Sequence, residues 1–233
     1  MLAVRVLNEI AHATWGKILV GAGFVALKPM VWVRSRLEFA RDVFKLSAGR
    51  TADYEARCGL SLNFAPHVQN GAMRWHRSSK SVVIDLFLPL IPQREPRSLQ
   101  SAGASPYVPV DRRDFTPSLL RSAEFNYELA QRRSPHDTSA AEELLSQVTT
   151  LEQLAAAFER RRDTKASALE DFYSFAQHPI AFAFTLARLN RLAEARLELA
   201  KSYELQLASQ SDLSVHRALA QQLNEELERA SAV

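Results

Sequence analysis

The sequence predicts an α+β protein: an N-terminal helix packed on an antiparallel β-meander, followed by an all-helical C-terminal region. Three observations predict it. Residues 4–20 place apolar side chains at helical spacing, residues 54–64 alternate apolar and polar side chains, and the pattern beyond residue 117 is helical. The 233 residues are 47% apolar and 24% charged, which supplies a core of useful size.

In the first segment Val6, Leu7, Ile10, Ala13, Thr14 and Ile18 share a face. "GAG" at 21–23 then stops the helix, because glycine enters the left-handed region without penalty. Pro29 argues against a helix through the next stretch. "MVWVRSR" alternates, with Trp32, Arg34 and Arg36 on one side and Val31 and Val33 on the other, and "DVFKL" fits a second strand. The clearest strand has Tyr54, Ala56, Cys58, Leu60, Leu62 and Phe64 on its apolar face and Glu55, Arg57, Gly59, Ser61 and Asn63 on a wet face. Pro66 ends it. "QNG" at 69–71 predicts a hairpin turn, after which "AMRWHR" returns with Met73 and Trp75 inward and Arg74 and His76 outward. "SVVIDLFLPL" is the fifth strand, largely buried and ending at Pro89.

Residues 89–117 hold six of the ten prolines and lose all periodicity. The expected organisation is therefore 1–90 (helix and sheet), 91–117 (Pro-rich loop or linker) and 118–233 (helices, expected to pack on the sheet's unprotected face). Among the helices, one beginning at Thr116-Pro117 is expected to end at "SPHD", with another opening at "DTSAAEELLSQV". A third starts at Thr149 or Thr150. "SALEDFYSFAQ" runs to His178, which Pro179 biases out of helix, so His178 and His136 read as loop and turn residues. Two helices turn about Asn190-Arg191, and the last follows Ser211 or Asp212.

Composition excludes several chemistries. Seven glycines leave no Gly-rich phosphate loop, and one cysteine allows neither an internal disulfide nor a Cys-rich zinc site. No apolar run reaches the roughly 20 residues of a membrane span. Nor is there the uninterrupted apolar centre of a secretory signal. The chain is expected to be cytoplasmic, with no membrane partner. Charge is uneven: residues 1–114 carry 16 Lys/Arg against 9 Asp/Glu, and residues 115–233 carry 13 against 17. Such asymmetry fits either an anionic partner for the basic half or mutual neutralisation of the two halves.

"RWHRSSK" at 74–80 packs basic side chains around a Trp, the ingredients of single-strand nucleic-acid binding. Placed on a hairpin, the same residues form part of a basic sheet face. Arg34, Arg36, Arg57, Arg74, His76 and Arg77 are the expected binding surface. The expected partner is another protein, with nucleic acid as the alternative. His67 and His76 face each other across the hairpin with Asp85 on the next strand, but no ligand spacing supports a metal. No catalytic residue, metal or cofactor is predicted, and an enzyme built from distant residues is the remaining alternative. Cys58, in phase with the apolar face, reads as a small buried hydrophobe. Asp85 within "VVIDLFL" requires a partner, for which Arg34, Arg57 or Arg77 are the candidates.

Two resemblances follow. "FAFTLARLNRLAEARLELAKSY" at 182–203 resembles one tetratricopeptide-type unit, and a single unit implies no repeat domain. The leading helix, Gly23-Phe24, "WVR" at 32–34, "DVFKL" and the long alternating strand resemble uncharacterised bacterial α+β families that include toxin-system immunity proteins. That resemblance covers residues 4–90 and implies a non-enzymatic, macromolecule-binding protein with no catalytic residue.

Overall fold

A computed structural model describes residues 4–48, 54–69, 72–74, 82–88, 90, 123–163, 177–207 and 213–231. The described chain opens with α1 (Val4–Ala11), a π-helical turn (His12–Gly16) and α2 (Lys17–Gly21), and continues through seven strands among the described residues. These are β1 (Val25–Lys28), β2 (Val31–Arg34), β3 (Ala40–Ala48), β4 (Tyr54–Leu62), β5 (His67–Gln69), β6 (Ala72–Arg74) and β7 (Leu86–Leu88). Five helices follow among the described residues: α3 (Ala123–Ser146), α4 (Leu151–Asp163), α5 (Gln177–Arg188), α6 (Leu192–Leu207) and α7 (Leu213–Ser231). The architecture is α+β. The antiparallel sheet has the order β1-β2-β3-β4-β7, and β5-β6 is a separate two-stranded sheet.

The N-terminal helix, the antiparallel five-stranded sheet and the helices after it are as the sequence predicts, and the membership of the sheet differs in one strand. Residues 72–74 do not join the main sheet: among the described residues they pair with β5, in the register His67↔Arg74, Val68↔Met73, Gln69↔Ala72. The fifth strand of the sheet is β1, missed because Pro29 hid a hairpin. Pro29 and Met30 connect β1 to β2, and Met30 sits at φ 59. Proline followed by a left-handed residue is the type II turn pattern. A non-glycine residue there costs about 1–2 kcal/mol, and burial of the Met30 side chain helps to hold it.

The chain falls into two compact units, each containing part of the sheet: Met1–Val33 with Phe44–Cys58 and Leu88–Glu142, and Arg34–Val43 with Gly59–Phe87 and Glu143–Val233. In the first unit the leading helix ends as its glycine requires. Gly23 (φ 84) is left-handed, Gly23 N–H donates to Val20 O at 3.0 Å, and Phe24 N–H donates to Leu19 O at 2.9 Å. This is the Schellman arrangement, with Leu19 and Phe24 both buried. The π turn is the departure from the expected helix. It turns Thr14, Trp15 and Gly16 all to the buried side, and an added Cβ on Gly16 would lie 3.2 Å from the Trp32 ring. Trp32 in turn meets His12 and Phe44 edge to face.

Helix α3 also corrects the sequence reading, because it runs unbroken through Pro135 and keeps His136 in helix. Proline removes one helical hydrogen bond. Tertiary contacts compensate: Trp15 Nε1–H donates to the buried Asp137 carboxylate at 3.0 Å, Arg133 lies 3.7 Å from it, and Thr138 Oγ1 donates to Ser134 O at 2.7 Å. Burial pushes the Asp137 carboxyl above its ordinary pKa, against the pull of Arg133 and Trp15.

In the second unit Thr150 Oγ1 accepts from Gln153 N–H, and the Gln153 side chain accepts from Thr149 N–H at 2.7 Å, so the predicted start of α4 is capped from both directions. Asn190 (φ 58) ends α5, with Asn190 N–H donating to Ala187 O and Arg191 N–H to Leu186 O, each at 2.9 Å. The predicted Asn190-Arg191 turn is this second Schellman end. The core between the helices includes Leu154, Phe158, Ile180, Phe184, Leu199, Leu223 and Leu227. His178 is not a loop residue: Pro179 is tolerated in the first turn of α5, so His178 is helical and packs edge-on to Phe158 at 4.8 Å. Among the described residues no helix is long and apolar enough to cross a membrane.

Candidate macromolecule-binding face

Strand register decides what each side of the sheet offers. Asn63 N–H donates to Phe39 O at 2.9 Å, and Leu46 N–H to Met30 O at 2.9 Å. Counting along continuous strands, the first bond sets Asp42 opposite Leu60 and Lys45 opposite Arg57. The second sets Arg34 opposite Asp42, Trp32 opposite Phe44 and Val31 opposite Lys45. Alternation then places Trp32, Arg34, Asp42, Phe44 and Cys58 on one face, and Lys45, Glu55 and Arg57 on the other.

On the first face Asp42 is fully buried and receives two guanidiniums. Arg34 lies 2.9 Å from Oδ2, and Arg36 Nε lies 3.0 Å from the same oxygen. Arg36 also donates to Leu145 O at 2.8 Å and Val148 O at 3.0 Å. The Leu145 carbonyl is in the last turn of α3, the negative end of a helix, and Val148 follows two residues after that helix ends, so these acceptors offset the second positive charge. Arg34 and Arg36, expected on the binding surface, thus hold an internal charge cluster together.

The second face is not wet along its whole length. Ser61 and Val43 are buried, and Gly59 is so closely overlaid that an added Cβ would meet Leu86 O at 2.1 Å. Asp85, between Ile84 and Leu86, accepts from Leu62 N–H at 2.7 Å, so a backbone donor is one of the partners that its burial requires. Cys58 is fully buried with its thiol 3.6 Å from Leu88 O, as its phase predicted.

The exposed part of this face is the other end of β3 and β4. Arg57 is half-buried and pairs with Glu55 at 2.8 Å. Lys45 stands directly opposite Arg57, and the exposed Lys28 of β1 pairs in register with Val31. Lys28, Val31, Lys45 and Arg57 therefore form one row across four strands. Burial, then the charges of Arg57 and Lys28, hold the Lys45 ammonium below its ordinary pKa, against the weaker pull of Glu55. Among the described residues no carboxylate forms an ion pair with Lys28 or Lys45. Sequence reasoning found Arg57 but missed both lysines. The signal was available, because the strand pattern is symmetric about residue 51 and sets residue 45 against residue 57.

Arg74 lies exposed on β6, whereas His76 and Arg77 lie outside the described residues, as do Trp75 and the Asn70-Gly71 turn. No family model, curated protein or solved structure matches this chain.

Proposed function

We propose that this protein binds another macromolecule without transforming it, and that it docks an acidic protein surface on Lys28, Lys45 and Arg57. One observation carries the reading: two cations stand directly opposite each other on neighbouring strands, with a third in the same row and, among the described residues, a single carboxylate beside them. Like charges opposite each other destabilise a sheet. A surface that keeps them is suited to an anionic partner, which such a patch also steers toward itself. In its concrete form the partner is a toxin that this protein neutralises in the cytoplasm, in keeping with the resemblance of residues 4–90 to immunity-protein families.

The test compares the wild-type protein with K28E/K45E/R57E as baits in extracts of native host cells. The expected result is a protein partner retained by the wild type and lost on charge reversal. Captured material with a nucleic-acid absorbance ratio, and affinity falling steeply with salt, would replace this reading with nucleic-acid binding. Equal capture by both baits would sink it.

A further inference from the structure

The row that forms the proposed docking face also has the ingredients of an amine reaction centre. An amine attacks a carbonyl only when unprotonated, and lysines beside other cations lose their proton more readily. Lys45 is exposed, so an electrophile can reach it. Its strand neighbours carry charge that attracts anions: Arg57 is one strand away and Lys28 two, or roughly 5 and 10 Å between backbones. Among the described residues the groups acting on Lys45 are Arg57, Lys28 and Glu55, which together keep a net positive charge. Glu55 pins Arg57 through two bonds to one oxygen, at 2.8 and 3.0 Å.

We propose that Lys45 is a covalent capture site for small anionic aldehydes, which Arg57 and Lys28 hold by their negative group. The Lys45 Nζ lone pair adds to the carbonyl carbon. The carbonyl oxygen then leaves as water with both amine protons, and a C=N bond forms. Nothing is oxidised or reduced. The inference uses the same row as the docking reading but needs no macromolecule, so either can fail alone.

The probe is pyridoxal 5′-phosphate with borohydride trapping on the full chain, followed by peptide mapping. Lys17, exposed on α2, and Lys201, paired with Glu198 on α6, serve as internal references. Lys45 is expected to be labelled about threefold or more faster than either, the scale a modest rise in neutral-amine fraction provides. Inorganic phosphate should slow Lys45 and leave Lys17 unchanged. R57Q should bring Lys45 down to the reference rate, while R57K should keep its lead; circular dichroism checks that both variants are folded. Equal labelling of the lysines would overturn the proposal. So would a lead at Lys45 that survives both phosphate and R57Q, because the anion would then play no part.

Discussion

The two faces of β3 handle charge in opposite ways. Asp42 points into the protein and is met by two arginines, with the excess positive charge turned onto the carbonyls at the end of α3. Three residues later Lys45 points outward and meets Arg57 across the ladder, with Lys28 in the same row. The first arrangement is closed, since each charge has its complement inside the fold. The second is open, since it concentrates positive charge at a surface. Arginine content alone does not separate these roles: Arg34 and Arg57 lie on alternating strands and Arg36 follows β2 directly, and only the partner each one meets distinguishes them. Charge removed from the closed side should therefore affect stability, and charge removed from the open side should affect binding.

The largest effect is expected at Asp42. D42A leaves two largely buried guanidiniums facing each other, and removing one partner of a buried cluster costs about 3–5 kcal/mol. Urea denaturation should show a lower midpoint with little change in slope. R36M should cost more than R34M, because Arg36 also satisfies Leu145 O and Val148 O. Equal losses would mean that the helix-end contacts carry no weight.

His178 lacks such a complement. Its Nε2 is buried without a hydrogen-bond partner among the described residues. Burial first, then Arg161, lowers its pKa to about 4, against Glu198. Below the unfolded value near 6.5 the unfolded chain binds the proton that the folded chain refuses. Stability from this group is therefore complete above about pH 6.5 and declines as pH falls toward 4, by roughly 3 kcal/mol at most. H178F keeps the contact with Phe158 and should flatten the stability curve across that window. An unchanged slope would refute the assignment.

Gly59 marks where the open side of β4 becomes covered. G59A should cost about 1–3 kcal/mol, the range for overpacking a tight contact, because Leu86 O is backbone and must shift. Thermal unfolding measures it. A neutral result would show that residues 84–86 give way easily.

What the sequence made legible was local chemistry. The alternation of β4, the Gly23 stop, the Thr150 cap and the Asn190 turn each depend on residues within one turn or strand of one another. What it hid depended on distant partners. Helix α3 survives Pro135 with the help of Trp15, 122 residues from Asp137 in sequence. The inward turn of Arg34 and Arg36 follows from burial of Asp42, which no pattern within "RDVF" reveals. The Lys28–Lys45–Arg57 row is intermediate. Each lysine is individually unremarkable, and the cluster emerges only when four strands are set in register.

The smallest stability effect is expected on that row, and its sign is the sharpest test. K45Q removes one of two like charges directly opposite each other, a pairing that costs about 0.2–1 kcal/mol. The variant should be as stable as the wild type or slightly more stable, and less so when salt already screens the repulsion. D42A, by contrast, should stay strongly destabilised at any salt concentration, because its charges are shielded from the solvent. If K45Q is destabilised instead, Lys45 must hold a structural partner inside the fold. The two faces of β3 would then no longer differ in kind, and the docking surface would lose its central residue.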